Sequence, residues 1–280
     1  MKSKIEINNT ELTIRPSSVD SALGCGYQWA RVFLTGETSI PNARASIGTG
    51  VHSGAERLWQ DAMKANDKGA MYLAGAVDAA VESFKEEAKK GLRFDAGEDI
   101  NTAISEVVSG VNVFLEDIVP FVAIPRAVEK RYTIPIQGHP IVKNISGTLD
   151  YIEDGISDLK TSKRTASPYN YEIQQSIYKI LAEANGEDVA YNTIQNVVLT
   201  KVPKGAVLDM PVNVEKAKVI VNNLIERLEV LATDTVKPEI LFPGNPKYFL
   251  CSEKYCAFYN DCMFVKGENP DKKSATVVKL

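Results

Sequence analysis

The stretch Gly147-Thr148-Leu149-Asp150-Tyr151-Ile152-Glu153-Asp154-Gly155-Ile156-Ser157-Asp158-Leu159-Lys160 decides how this chain is read. Two strands, 141–152 and 156–161, flank a Glu153-Asp154-Gly155 turn and pair as a hairpin. A hairpin sets its strands face to face, so Asp150 and Asp158 can converge although eight positions apart. Alternation puts Asp158 and Lys160 on one face and turns Leu159 into the core. Two carboxylates on one side of a sheet repel each other unless a cation or a proton lies between them. A hard divalent cation fits two carboxylates and a backbone carbonyl, for which Leu159 is the natural donor. Such an ion lowers the pKa of a bound water and neutralises charge on a phosphate, and Lys160 would orient the nucleophile or stabilise the transition state. The competing account of so short a pattern is a surface hairpin whose charges face water.

Upstream, 128–134 alternates as a strand does, and Gly138-His139-Pro140 is a turn whose histidine needs no function. Before it lies a helical block: about 50–65 with His52, about 69–91, and about 98–118. Residues 1–14 read as a strand-like lead-in, Pro16-Ser17-Ser18 as a helix start, 19–34 as one helix, and 35–47 as loop. Downstream come a helix over 169–185, strands over 191–199 and 207–212 separated by Pro203-Lys204-Gly205, and an amphipathic helix over 213–233. The remainder is loop-rich and carries three of the four cysteines. No internal repeat or low-complexity tract is present.

The 280 residues suffice for one substantial core, and 44% hydrophobic with 24% charged residues is ordinary for a globular chain. No stretch approaches the ~18 apolar residues that span a bilayer, and the first residues lack a signal-peptide core. A cytoplasmic location is the expectation, or the host cytoplasm if the source is viral, with no membrane partner. A net charge of −4 argues against a protein that coats nucleic acid non-specifically. A local groove can still be basic. Lys160 to Arg164, Lys201 to Lys204, and Lys266 with Lys272 and Lys273 are the candidate patches, each readable also as a solvated face.

Taken in order, Gly147-Thr148-Leu149-Asp150, Asp158-Leu159-Lys160-Thr161 and Gln174-x-x-x-Tyr178 resemble the PD-(D/E)xK nuclease core, and within it the RecB-like exonuclease branch. Gly48-Thr49-Gly50-Val51-His52 is similar to that branch's glycine-then-histidine element, and Glu129 to its acidic residue ahead of the core strands. The resemblance runs from about Ser17 to Cys262. It implies an α/β, restriction-endonuclease-like mixed sheet flanked by helices, with a helical N-terminal block and a C-terminal cysteine-rich segment. It implies metal binding by His52, Asp150, Asp158 and the Leu159 carbonyl, with Asp150, Asp158 and Lys160 catalytic. Gln174, Tyr178 and Glu129 would contact substrate or support the site. Residues 1–266 would form one nuclease domain, with a helical block about 50–118, a core about 126–212 and a cysteine-rich closure over 248–266. A polar tail over 267–280 would follow.

Cys251-x4-Cys256-x5-Cys262 and the distant Cys25 do not show the two close pairs of a zinc ribbon, and without a secretion signal disulfides are the less expected use. Four thiolates are also the ligand set of a 4Fe–4S cluster. A subgroup of the RecB-like branch carries one cysteine before the core and three after it around such a cluster, the order found here. Zinc at the same four cysteines stays open. The cluster would act as a staple and not in redox chemistry.

The expectation is a Mg²⁺- or Mn²⁺-dependent deoxyribonuclease, an exonuclease acting on single strands or ends in recombination, replication or repair, with DNA and proteins of those processes as partners. The rivals are a non-catalytic DNA-binding or assembly subunit that retains the fold, and an enzyme acting on another phosphate ester. The chain has no G-x-x-x-x-G-K-[ST] motif, so no ATP-driven unwinding is expected of it.

Overall fold

A computed structural model of the chain describes residues 11–38, 40–234 and 236–265. The first ten residues of the strand-like lead-in, the polar tail and the Lys266, Lys272 and Lys273 patch lie outside these. One mixed six-stranded sheet carries helices on both faces, as a restriction-endonuclease-like fold requires. Among the described residues no helix is long and apolar enough to cross a membrane.

Strand β1 (Leu12–Ile14) leads into α1 (Pro16–Gly24), where Pro16 takes the first helical position and the Ser18 hydroxyl exchanges hydrogen bonds with the Arg15 backbone. The single helix expected over 19–34 is broken. Cys25 is extended (φ −154°, ψ 101°), and α2 (Gly26–Phe33) restarts after it. The flanking glycines give the reason. A Cβ on Gly24 would lie 2.4 Å from the Tyr248 ring, and one on Gly26 would lie 3.1 Å from the Phe242 backbone. The C-terminal segment packs where those side chains would stand, and Cys25 is left in the break.

Helix α3 spans Ala43–Ala65 and starts earlier than expected, because the Asn42 side chain caps it by accepting from the Arg44 N–H at 2.9 Å. Gly50 and Gly54 are notches inside this helix. Through them α4 (Leu73–Lys89) and α5 (Ile100–Val113) approach α3 closely. His52 accordingly sits in the third turn of its helix and not at the start. A π turn over Phe114–Ile118 ends the block. Trp59, Phe84 and Phe114 fill the core it shares with one face of the sheet.

Strand β2 (Ala127–Pro135) runs antiparallel along β3 (Val142–Ile152). On its other edge β3 has two partners in succession. Strand β1 pairs in parallel as far as Ile14↔Ile145, and β4 (Ile156–Ser162) pairs antiparallel only at Tyr151↔Ser157 and Ile152↔Ile156. Strand β4 then leaves β3 and runs parallel to β5 (Asn192–Val198), with α6 (Glu172–Ala184) as the crossover. Strand β6 is Lys204–Asp209, so the expected turn at Lys204-Gly205 is in fact strand. Asp117 from the π turn accepts the Gly205 N–H at 2.8 Å and holds it in the ladder with Val197. Helices α6 and α7 (Val214–Thr233), with α1 and α2, cover the second face. His139 is structural: its Nδ1 accepts the N–H groups of Ile141 and Val142, and its Nε2 meets the Ile225 carbonyl at 3.1 Å.

Candidate active site

The centre of the site is an irregularity in β3. Residues two apart on a strand share a face, yet Leu149 lies in the core with α1, α6 and α7, while Tyr151 lies in the core of the helical block. The alternation slips at Asp150. Across the ladder, Val128 faces Tyr151 and Lys130 faces Leu149, which sets Glu129 opposite Asp150. Glu129 has φ +49°, a left-handed backbone that costs a non-glycine residue about 1–2 kcal/mol. The paired distortion turns both carboxylates toward α3. Such strain persists where the surrounding structure enforces it, which is typical of functional sites.

His52 completes the group: its Nδ1 lies 3.6 Å from Asp150 Oδ2 and 4.0 Å from Glu129 Oε1. One ligand atom from each of His52, Glu129 and Asp150 falls within 4.8 Å of the others. They open on a cleft of about 500 Å³ that is also lined by Arg44, Glu56, Leu159 and Lys160. Asp150 is buried, which pushes its carboxyl up, with His52 and Lys160 opposing; its Oδ2 accepts the Leu159 N–H at 2.7 Å. Burial disfavours charge on His52, but Asp150 and Glu129 outweigh it and the imidazole is pushed up.

Asp158 is brought close but not into this trio. Its buried carboxylate ion-pairs with Lys160 at 2.5 Å, and burial raises it to about 6 against the pull of that lysine. Burial disfavours the Lys160 ammonium too, yet Asp158 and Asp150 prevail and push it above its ordinary value. Beside these carboxylates Lys160 thus favours its protonated form; its Nζ lies 5.5 Å from the Tyr171 ring centroid. Leu159 buries its side chain in the helical-block core while lining the cleft. Gln174 and Tyr178 lie on α6, joined by a bond from Gln174 Nε2 to Tyr178 Oη at 3.1 Å, and Tyr178 feels the Lys160 charge. Both are buried, and neither lines the cleft.

Two residues of this region were not singled out from the sequence. Glu56 sits one turn after His52 on the same helix face, a spacing that could have found it. Burial and the neighbouring Glu129 push its carboxyl up. Asp20 on α1 is raised by burial to about 6 while feeling Lys160, and no local pattern marks it.

The four cysteines come together although one is more than two hundred positions from the rest. Cys25, Cys251, Cys256 and Cys262 line one small pocket, and none is in a disulfide. Burial, with the other three thiols nearby, raises Cys256 to about 11. The segment is tied down by buried Arg31, which pairs with Asp261 at 2.8 Å and with Glu37, and lies 4.1 Å from the Phe258 ring centroid. Lys254 pairs with Asp95 at 2.9 Å, linking the segment to the helical block.

A mixed sheet with a split strand, an acidic pair and a lysine at the split defines a nuclease fold. Over residues 13–263 the sequence matches the PD-(D/E)XK nuclease superfamily, and the chain belongs to it. Among solved structures it is similar to an exonuclease candidate from Eubacterium rectale, with 14% identity and a TM-score of 0.57 over 94% of this chain and 91% of that one. At that identity the likeness concerns the fold alone. SSO0001 overlaps 50% of this chain and 60% of its own at 16% identity, and its TM-score of 0.31 carries no argument. No curated protein matches the chain.

Proposed function

We propose that this member of the superfamily is a divalent-metal-dependent deoxyribonuclease of RecB-like type, an exonuclease acting on single strands or ends in recombination, replication or repair. The observation that carries the reading is the convergence of His52, Glu129 and Asp150 beside Lys160 in one cleft. Their donor set fits a Mg²⁺ or Mn²⁺ ion: two carboxylates held together at a backbone cost, one imidazole and the Leu159 carbonyl, with Asp158 near enough to feel Asp150 and His52. When bound, such an ion would supply Lewis-acid polarisation of the phosphate and activation of water. Asp150, kept in place by the Leu159 N–H, orients the ligand set. Lys160 in its protonated form presents positive charge to the phosphate as negative charge builds there. Tyr178, hydrogen-bonded by Gln174, lies near enough to Lys160 to feel its charge and would support the site.

We also assign Cys25, Cys251, Cys256 and Cys262 to a 4Fe–4S cluster. What supports this group is that one cysteine ahead of the core and three behind it line one pocket, a four-thiolate set that such a cluster takes. The cluster would staple the break between α1 and α2 to the C-terminal segment, closing a long loop.

The test uses protein purified without oxygen and end-labelled single- and double-stranded DNA and RNA, with Mg²⁺, Mn²⁺ or EDTA. Metal-dependent product ladders from DNA, absent in Asp158→Ala, are the expected result. No cleavage under any metal by cluster-replete protein would overturn it in favour of a non-catalytic DNA-binding or assembly subunit. Iron and sulfide content, with visible absorption, decides the cluster against zinc.

A further inference from the structure

The sheet is open at one place beside the cleft. Strand β1 covers the edge of β3 only to Ile145 and β4 takes it up only at Tyr151, so among the described residues 146–150 carry no strand on that edge. The opening is a polar cavity of about 350 Å³ lined by Arg15, Ser17, Arg131, Ser146, Thr148 and Tyr178. Two exposed arginines thus share one small space. Arg131 donates from Nε to Ser146 Oγ at 2.9 Å, which leaves its two terminal nitrogens to the cavity. The bonds of Arg15 with Ser18 use its backbone only. Among the described residues neither guanidinium forms an ion pair with a carboxylate; Arg31, Arg44, Arg57 and Arg126 do, and Arg93, Arg164 and Arg227 do not. Two guanidiniums around a void repel each other unless an anion joins them, and their forked donors match phosphate oxygens. The first turn of α1 begins at the same cavity and adds its positive end.

The cavity adjoins the reaction centre. Thr148 stands two residues before Asp150 on β3, about 6.6 Å along a strand, comparable to the spacing of successive phosphates on an extended nucleic-acid strand. Tyr178 lines the cavity on one side and feels Asp158 and Lys160 on the other. We propose that Arg15 and Arg131 form a phosphate-binding subsite that holds the substrate strand one nucleotide from the bond to be cut. This rests on the nuclease reading for the identity of the strand. The ligand is a phosphate group, either a diester within the strand or a terminal monoester, and its placement fixes the direction in which the strand is threaded.

The experiment compares the wild type with Arg15→Gln/Arg131→Gln and with Arg15→Lys/Arg131→Lys, each checked by thermal unfolding. Binding of short single-stranded oligonucleotides is followed by fluorescence anisotropy in EDTA across a salt series. The strands carry a 5′-phosphate, a 3′-phosphate or neither, and a closed circle is included; cleavage is measured in parallel with Mn²⁺. The glutamine pair should raise Kd about tenfold and flatten the salt slope by about one per arginine, with the lysine pair intermediate. Loss of preference for one phosphorylated end identifies a terminal monoester; equal loss on all strands, the circle included, identifies an internal diester. Unchanged Kd and slope in the glutamine pair overturn the subsite. If that variant also cuts like the wild type, the nuclease reading stands alone. Arginine-dependent binding by a protein that cuts nothing leaves the subsite and removes the nuclease reading. A wild type that binds none of these strands overturns the subsite outright.

Discussion

The Leu159 N–H donates to Asp150 Oδ2 at 2.7 Å, just where the β3–β4 ladder has come apart. A side-chain carboxylate thus satisfies a backbone donor that the departing strand would otherwise leave unpaired in a buried place. The same bond fixes the direction in which the carboxylate points.

Asp150→Asn keeps an oxygen that can accept from Leu159 while removing a buried charge beside Glu129. Cleavage is expected to fall at least about 10²-fold, the scale of losing a stabilising electrostatic group. The unfolding temperature should not fall, because a strained functional charge has been removed. A clear drop in thermal stability would show instead that the charge itself supports the fold.

Glu129 has φ +49°. Glu129→Gly should therefore be more stable than Glu129→Ala by about 1 kcal/mol, the reverse of the usual order within a strand. Both should lose metal-induced stabilisation, read as the shift of unfolding temperature on adding Mn²⁺. An alanine variant as stable as the glycine one would mean that the left-handed backbone is not enforced.

Gly54→Ala would set a Cβ 2.5 Å from Val111 Cγ2 and 3.1 Å from the Ala76 carbonyl oxygen. Alanine ordinarily favours a helix; here overpacking between α3, α4 and α5 should cost about 1–3 kcal/mol. Because α3 carries His52, Mn²⁺ affinity should fall as well. Denaturant unfolding and metal titration check the two effects separately.

Glu187 accepts from the Tyr132 hydroxyl, pairs with Lys130 at 2.9 Å and with Arg126 at 3.1 Å, and is held at about 2 against an ordinary value of 4.5. A depressed folded-state pKa contributes stability that is present above the unfolded value and lost as pH falls through the folded one. Stability should decline between about pH 4.5 and 2. Glu187→Gln should lower it at neutral pH and flatten that part of the curve. A parallel pH profile in the variant would refute the assignment.

On the proposal that the four cysteines hold a 4Fe–4S cluster, removing iron, by oxidation and chelation or by Cys256→Ala, should lower the unfolding temperature by several degrees. It should also make the C-terminal segment sensitive to protease. Without the proposed cluster Cys25 is no longer joined to residues 251–262, and ion pairs of Arg31 and Lys254 with packing such as Tyr27 on Phe264 are left to hold that segment. Equal protease resistance with and without iron would argue against a staple.

Much of the fold was legible because periodicity is local. Alternation marked β2 to β5, the 3.6-residue repeat marked α4 to α7, and the order of Asp150, Asp158, Lys160 and Gln174 gave the sheet its place in a superfamily. Where close packing decided the backbone, local signals misled. Gly24 and Gly26 break a helix because Tyr248 and Phe242 occupy their side-chain space, and Gly50 continues one because α4 lies against it.

The sequence by itself determined which chemical groups exist and which elements carry them: one histidine on a helix, carboxylates on neighbouring strands, one cysteine ahead of the core and three behind it. Only the tertiary structure decided how they meet. The slip of alternation at Asp150, the left-handed Glu129 opposite it, the pairing of Asp158 with Lys160 and the arginine-lined gap between β1 and β4 all arise where one strand exchanges partners. A pattern along the chain encodes which face a residue takes. It does not encode where a ladder parts, because that depends on the packing of two cores against opposite sides of one sheet.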